Sequence, residues 1–345
     1  DSSVVTAIAA QRLKERGQRL ATYSFEFEGN REFFTPSAFQ PGRDQEWALR
    51  VSRLLSTEHR TLLCGNQALA GSLEETVLAR DLPGMADVDG SLLYFCRQVK
   101  QRHTVALCGE CADEIFGGYP WFHRRELWQG GRFPWSGDMG LRASLLKPEL
   151  ARELDLEGYA ARRLEESLKE APTLPGEGEE ERRMRQLAYL NMRWFMATLL
   201  ERKDRCSMYS GLEVRVPYAD HRLAQYVYNV PWQMKSPGGE PKGLLRAAAA
   251  GLLPEEVLHR KKSPYPKTHN PGYEALIKER LAQVLRDSAQ PIHRVLSEEA
   301  AQGLLRQSFD YGRPWFGQLM AGPQLLAYLL QVNAWLLRYH IYLEL

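Results

Sequence analysis

The chain has no excess of either charge, little cysteine and no long apolar run, and each shortage closes off a class of function. Lys and Arg total 45 against 43 Asp and Glu, a formal net charge of +2. So balanced a chain has no sequence-independent pull towards nucleic acid or an anionic membrane surface. The five cysteines, Cys64, Cys96, Cys108, Cys111 and Cys206, are an odd set without the dense spacing of a secreted disulfide scaffold. A reducing compartment is expected, the cytoplasm by default. Cys108 and Cys111 make one C-x-x-C, but no second pair or nearby His pair completes a zinc tetrahedron, and the eight histidines show no H-x-x-x-H spacing. The most apolar stretch, 325–337, carries Gln331 and Asn333 and is shorter than the roughly 18 to 20 apolar residues of a membrane span, so it reads as a buried helix. No basic segment followed by an apolar one opens the chain as a secretory signal would. An initiator methionine is lacking too: the first residue is Asp1, and residues upstream of it are expected.

What is present is the balance of an ordinary globular protein, 44% hydrophobic and 26% charged. The 345 residues exceed one compact domain, which implies two subdomains or an α/β core with a helical extension. Helical spacing runs over 4–16, with Ser2 or Ser3 as N-cap, and a β pattern over 20–27. A helix over 46–55, a short strand over 61–64, helices over 68–82 and 90–102, and a buried strand over 105–108 follow. Such alternation predicts a doubly wound parallel sheet, with ligands at the carboxyl ends of its strands. Residues 1–3, the strand end at Phe27 and the turn 108–113 then share one edge. Beyond Trp121 the alternation stops, and 145–345 is mainly helical, broken by an acidic Pro/Gly loop at 172–181, read as solvated, and a Pro/Gly turn at 236–241. The expected division is an α/β core over 1–125 and a mainly helical remainder over 126–345.

Three segments carry chemistry. In CGECADEIFGGY (108–119) Glu110 and Asp113 are three apart, so on a first helical turn both project to one side, where either a divalent cation or the helix N-terminus itself would hold them. In ERKDRCSM (201–208) and GLEVRVP (211–217) dense charge follows an apolar helix, which suits a buried polar network near an anionic ligand. Within it Arg202 is a candidate ligand contact, and Glu213 with Arg215 a structural ion pair. The basic cluster RKKSPY (260–265) is either a solvated helix end or a source of a lysine for charge that grows in a transition state.

These stretches resemble the asparagine synthase family. CGECADEIFGGYPWF is similar to its S-G-E-x-x-D-E-x-F-G-G-Y box, and LLERKDRCSMYSGLEVRVPYADHRL to its D-R-x-S-M…G-L-E-x-R-V-P-F-x-D-H pattern. RKKSPYP resembles its R-x-K-x-x-F lysine segment, and Asp1-Ser2-Ser3 the tail of its pyrophosphate loop, S-G-G-x-D-S-S. The resemblance implies an α/β fold, the doubly wound sheet of the ATP pyrophosphatase (adenine nucleotide alpha hydrolase-like) type with a large helical C-terminal extension, its first strand lying ahead of Asp1. It implies ATP-dependent asparagine synthesis with Mg²⁺: aspartate is activated as β-aspartyl-AMP with release of pyrophosphate, then attacked by ammonia. Ser2 and Ser3 would cradle pyrophosphate with Asp1, and Asp1 and Asp113 would hold the metal. Ser24, Phe25 and Phe27 would offer backbone groups to adenine, with Gly109 among the nucleotide contacts. Lys262 would stabilise the α-phosphate and leaving pyrophosphate, Glu110 would take the proton from ammonia, and Tyr119 and Arg202 would lie on the substrate side.

Two positions depart from the pattern: the S-G-G half of the loop is not in the sequence, and Cys108 stands where the box has Ser. The family's glutamine-hydrolysing domain is not in it either and is expected upstream, supplying ammonia in the intact protein. As for assembly, a homodimer is allowed for. The rival readings are a β-lactam synthetase or lasso-peptide cyclase on the same scaffold, and a catalytically inactive chain kept for binding.

Overall fold

The computed structural model of the chain describes residues 1–36, 42–127, 131–137, 139–261, 263, 265–306, 315–317 and 319–343. Within them it is a mixed α/β fold in which helices outweigh strands. The described strands form two parallel pairs, β1 (Ala21–Phe27) with β2 (Glu58–Cys64) and β3 (Val105–Leu107) with β4 (Glu213–Arg215). The expectation of one sheet is thus met only by two small parallel ones among these residues.

The period of two in β1 separates its faces. Phe25 stacks on Phe95 of the helix Asp87–Lys100 with centroids 4.0 Å apart, and Phe27 meets the same ring edge-on at 5.8 Å. On the other face Thr22 and Ser24 bond the two ring nitrogens of His59 at 3.0 and 2.9 Å. Full burial of a ring such as Phe27 or Phe95 contributes about 1.5–3 kcal/mol. The same apolar cluster takes in Tyr273, Ile277 and Leu281 from the helix Pro271–Arg286 and Leu325 and Leu326 from Gly322–Arg338. It therefore draws on both sides of residue 125. The apolar stretch 325–337 is a buried helix as expected, and its two amides are satisfied: Gln331 donates to Thr76 Oγ1 at 2.6 Å, and Asn333 to Gln290 Oε1 at 2.8 Å. Among the described residues no helix is long and apolar enough to cross a membrane.

Three local expectations are corrected, and one strand is added. The 105–108 strand is not buried: Val105 and Leu107 are 41% and 50% exposed, and among the described residues β3 has β4 on one side only. β4 itself was not foreseen, being three residues long with a charge at each end. The helix expected over 68–82 is two, Asn66–Gly71 and Leu73–Arg80, since the Ser72 hydroxyl donates to Leu69 O at 2.7 Å and turns the chain. The acidic run is not all solvated: the side chains of Glu177 and Arg185 are each 4% exposed and pair at 2.9 Å, and Glu179 already begins a helix.

Candidate active site

Asp1, rather than Ser2 or Ser3, occupies the N-cap of the helix Ser2–Lys14. Its carbonyl accepts from Val4 N–H at 3.1 Å and Tyr218 OH at 3.2 Å, but its carboxylate makes no cap bond. Instead both oxygens lie 2.7 Å from Lys242 Nζ. Asp113 Oδ1 is 3.0 Å from the same ammonium, so two carboxylates converge on one cation. The N–H groups of Ser2 and Ser3, at the very start of the helix, precede the first residue whose N–H can find an acceptor one turn back.

Asp113 reaches this point because β3 runs into a tight turn. Cys108 N–H continues the ladder to Arg215 O at 3.1 Å, and Cys111 caps the helix Ala112–Phe116 at φ +73°. Glycine is required on both flanks. A Cβ on Gly109 would come within 2.3 Å of Ser2 N, and one on Gly118 within 1.9 Å of Asp113 Oδ1. The first close approach joins the carboxylate box to the start of the first helix.

Glu110 leaves the turn in another direction from Asp113. Its Oε1 pairs with Lys203 Nζ at 3.1 Å and Arg202 Nη1 at 3.5 Å, and its Oε2 is buried without a hydrogen-bond partner among the described residues. Arg202 and Lys203 are 2% and 7% exposed. Burial disfavours both cations, but Asp89 and Glu110 around Arg202, and Glu110 beside Lys203, outweigh it and raise both above their ordinary values. Tyr119 is 7% exposed and donates its hydroxyl to Glu114 Oε1 at 2.6 Å; burial and that carboxylate push the phenol well above its usual range. Glu213 and Arg215 form the ion pair expected of them, at 2.7 Å, but on the surface rather than in a buried network.

One cleft of about 1160 Å³ gathers most of these groups. Asp1, Ser2, Ser3, Ser24, Phe25, Gly109, Glu110, Asp113, Tyr119 and Arg202 all line it. Phe27 does not; it is 2% exposed in the core. Lys262 lies outside the described residues, while Lys261 and Ser263 line the cleft. Their segment is anchored by Arg260, which pairs with Asp44, bonds Ser263 Oγ at 3.1 Å and sits over the Trp47 ring at 5.3 Å.

Lys203 and Lys242 are cleft cations to which the sequence assigns no role. Lys203 was passed over inside a charged run, and Lys242, at φ +57° after the Pro/Gly turn, carries no spacing signal. Its neighbour Arg246 ties that turn to the lysine segment by donating to Pro241 O at 2.8 Å and Arg260 O at 3.3 Å. As a metal site the donors are sparse: among the described residues no group of three or more His, Cys, Asp or Glu could hold an ion. Two carboxylates nonetheless suit Mg²⁺, which takes one or two of them and completes its shell with phosphate oxygens and water.

The profile of the family described as asparagine synthase matches residues 1–337. The chain is similar to asparagine synthetase [glutamine-hydrolyzing] 3 of Bacillus subtilis, 47% identical over 99% of the chain and 56% of that protein. It is 29% identical to asparagine synthetase [glutamine-hydrolyzing] 1 of the same organism, over 77% of the chain and 44% of that protein. The human asparagine synthetase [glutamine-hydrolyzing] is 25% identical over 77% of the chain and 37% of its own length. The chain thus spans about half the length of the curated relatives it matches. On the match over 337 residues and the 47% identity, the chain belongs to the asparagine synthase family.

Proposed function

We propose that the chain is the synthetase part of a glutamine-hydrolysing asparagine synthetase, activating aspartate as its AMP ester and passing ammonia onto the acyl carbon. The observation that carries this reading is the meeting of Asp1 and Asp113 on Lys242 in the cleft that also holds Glu110. The relatives' names favour an asparagine-forming reaction over lactam or lasso-peptide closure. The retained cleft charges speak against a binding-only chain. An upstream glutaminase domain as the ammonia source belongs to the same proposal.

When bound, Mg·ATP supplies the adenylyl group and a pyrophosphate leaving group whose charge the metal shares. The helix start at Ser2 and Ser3 offers N–H donors to an anion, and Lys242 brings positive charge to the same place. Asp1 and Asp113 would hold the metal by exchanging that ammonium for it. Lys262, by the family pattern, stabilises the leaving group from the segment between Lys261 and Ser263. Ser24 and Phe25 present backbone groups of β1 to adenine, with Phe27 contributing through packing. Gly109 lets the box approach the nucleotide loop, and Tyr119 walls the substrate side through Glu114. Arg202 and Lys203 place two cations beside Glu110, where a dicarboxylate substrate gains charge-assisted hydrogen bonds.

We further propose that the two strand pairs are flanks of one doubly wound parallel sheet of the ATP pyrophosphatase type. Among the described residues β1 and β3 each have a partner on one side only, and both line the cleft, so a strand carrying the S-G-G pattern ahead of Asp1 would pair with both. The division at residue 125 is proposed as a change of pattern within one packed body.

Glu110→Gln tests the reading in the full-length protein. Glu110 works only once a nitrogen nucleophile loses a proton, so asparagine formation should fall at least about 100-fold while aspartate-dependent exchange of labelled pyrophosphate into ATP survives. Equal loss of both signals contradicts the role.

A further inference from the structure

Glu110 stands at the cleft end of a chain of alternating charges. In the interior Arg80 donates to both Glu201 and Asp89. Asp89 also accepts from Arg202 Nε at 2.8 Å and from Met85 N–H at 2.8 Å. The same Arg202 guanidinium reaches Glu110 Oε1 through Nη1 at 3.5 Å and Val88 O through Nη2 at 3.4 Å. Asp89 is 0% exposed and does not line the cleft, so it touches neither substrate nor nucleotide. Burial pushes its carboxyl up, yet the two guanidiniums and the Met85 N–H outweigh that and hold it below the usual carboxylate value.

A guanidinium is a rigid planar fork, so fixing Nε fixes the direction of Nη1. Asp89 sets Nε. Nη1, with Lys203, then engages one oxygen of Glu110, while the other, Oε2, is buried without a hydrogen-bond partner among the described residues. We propose that Asp89 is a positioning residue for Glu110: acting through Arg202, it fixes the direction in which the carboxylate meets the attacking nitrogen. This rests on the reading of Glu110 given above and extends it to a residue outside the cleft. No family motif quoted from the sequence includes Asp89.

The test compares two changes to one buried cluster in the full-length protein. Asp89→Asn removes the charge that orients Arg202; Arg80→Gln disturbs the same carboxylate and leaves the arm from Asp89 through Arg202 to Glu110 in place. Misplacing a reacting group by about an ångström costs on the order of 100-fold. Asp89→Asn should therefore lower asparagine formation by at least about tenfold relative to pyrophosphate exchange, while Arg80→Gln keeps that ratio within about twofold despite any loss of Tm. Equal effects on the ratio, or none from Asp89→Asn, overturn the proposal. If Asp89→Asn does not fold, Arg202→Lys carries the test, since lysine keeps the charge but cannot span both carboxylates; an unchanged ratio there overturns it. A wild-type protein with no aspartate-dependent exchange would instead fault the reading of the reaction. In that event a crystal structure of the folded variant decides the positioning claim: Glu110 rotated off Lys203 supports it, and Glu110 unmoved refutes it.

Discussion

Lys242→Met asks whether Asp1 and Asp113 form a cation site or only a structural ion pair. The ammonium is 2.7 Å from Asp1 and 3.0 Å from Asp113, and the three side chains are 11%, 25% and 13% exposed. Removing one partner of a buried pair costs about 3–5 kcal/mol, and the partial exposure of Asp1 puts the expectation at the lower end, about 3 kcal/mol. For a chain of this size, at about 2.1 cal/mol/K of unfolding entropy per residue, that is a fall in Tm of roughly 4 °C. Methionine keeps the stem and removes the charge, so two hard oxygen donors are left facing each other, the ligands Mg²⁺ prefers. Metal at about a hundred times its Kd returns about 2.7 kcal/mol, nearly the whole loss. Thermal unfolding of wild type and variant across a Mg²⁺ series, without nucleotide, reads this directly. The variant should start lower and climb with Mg²⁺, whereas the wild type, with its ammonium in place, should move little. A variant that drops in Tm but ignores Mg²⁺ would refute the shared site.

Lys262→Ala should abolish both pyrophosphate exchange and asparagine formation, a loss of about 100- to 1000-fold, with ATP binding much less affected; damage from Lys261→Ala in its place would put the segment's alignment out by one residue. Gly109→Ala forces a methyl into Ser2 and should displace the helix start, weakening ATP binding by about tenfold or more in calorimetry through lost hydrogen bonds to phosphate; an unchanged Kd would show that the close approach does not serve the nucleotide. Lys235 is buried, which lowers its ammonium from 10.5 to about 8. Between those values the unfolded chain binds more protons, so this residue's contribution to stability rises with pH across the window and is unfavourable below it. Lys235→Met should raise Tm at pH 7, by a gain on the order of 3 kcal/mol, and remove that slope; an identical pH dependence in the variant would exclude it.

The parts of the site legible in the sequence are those tied to a local pattern. Strand periodicity located Ala21–Phe27, and the carboxylate box after a strand led to Glu110 and Asp113. Their spacing of three put both acids on one side of a helical turn, and the structure parts them instead. The turn at Cys111, with its positive φ, starts the helix after Glu110, so Glu110 faces Lys203 and Asp113 faces Lys242. Lys242 was illegible because its partners are 241 and 129 residues away and an isolated lysine after a turn looks like any solvated one. Asp89 was hidden for the same reason, its countercharge Arg202 lying 113 residues further along. Short strands fared worst: β4 is made by pairing to β3, not by any preference of Glu213, Val214 and Arg215.

The apolar cluster around Phe27 has a consequence for how the chain is made. Its members Phe27 and Leu326 are separated by 299 positions, and the helix Gly322–Arg338 supplies one wall of it. While a ribosome is still adding residues 271–321, β1 has emerged with Phe25 and Phe27 but the last wall does not yet exist. Closure of loops that long precedes any reward from the contacts they bring, which slows folding and leaves apolar surface open to association in the meantime. Newly made chains should therefore lean on chaperones until synthesis passes Arg338, and destabilising changes in that helix should lower the yield of soluble protein before they alter its rate of turnover.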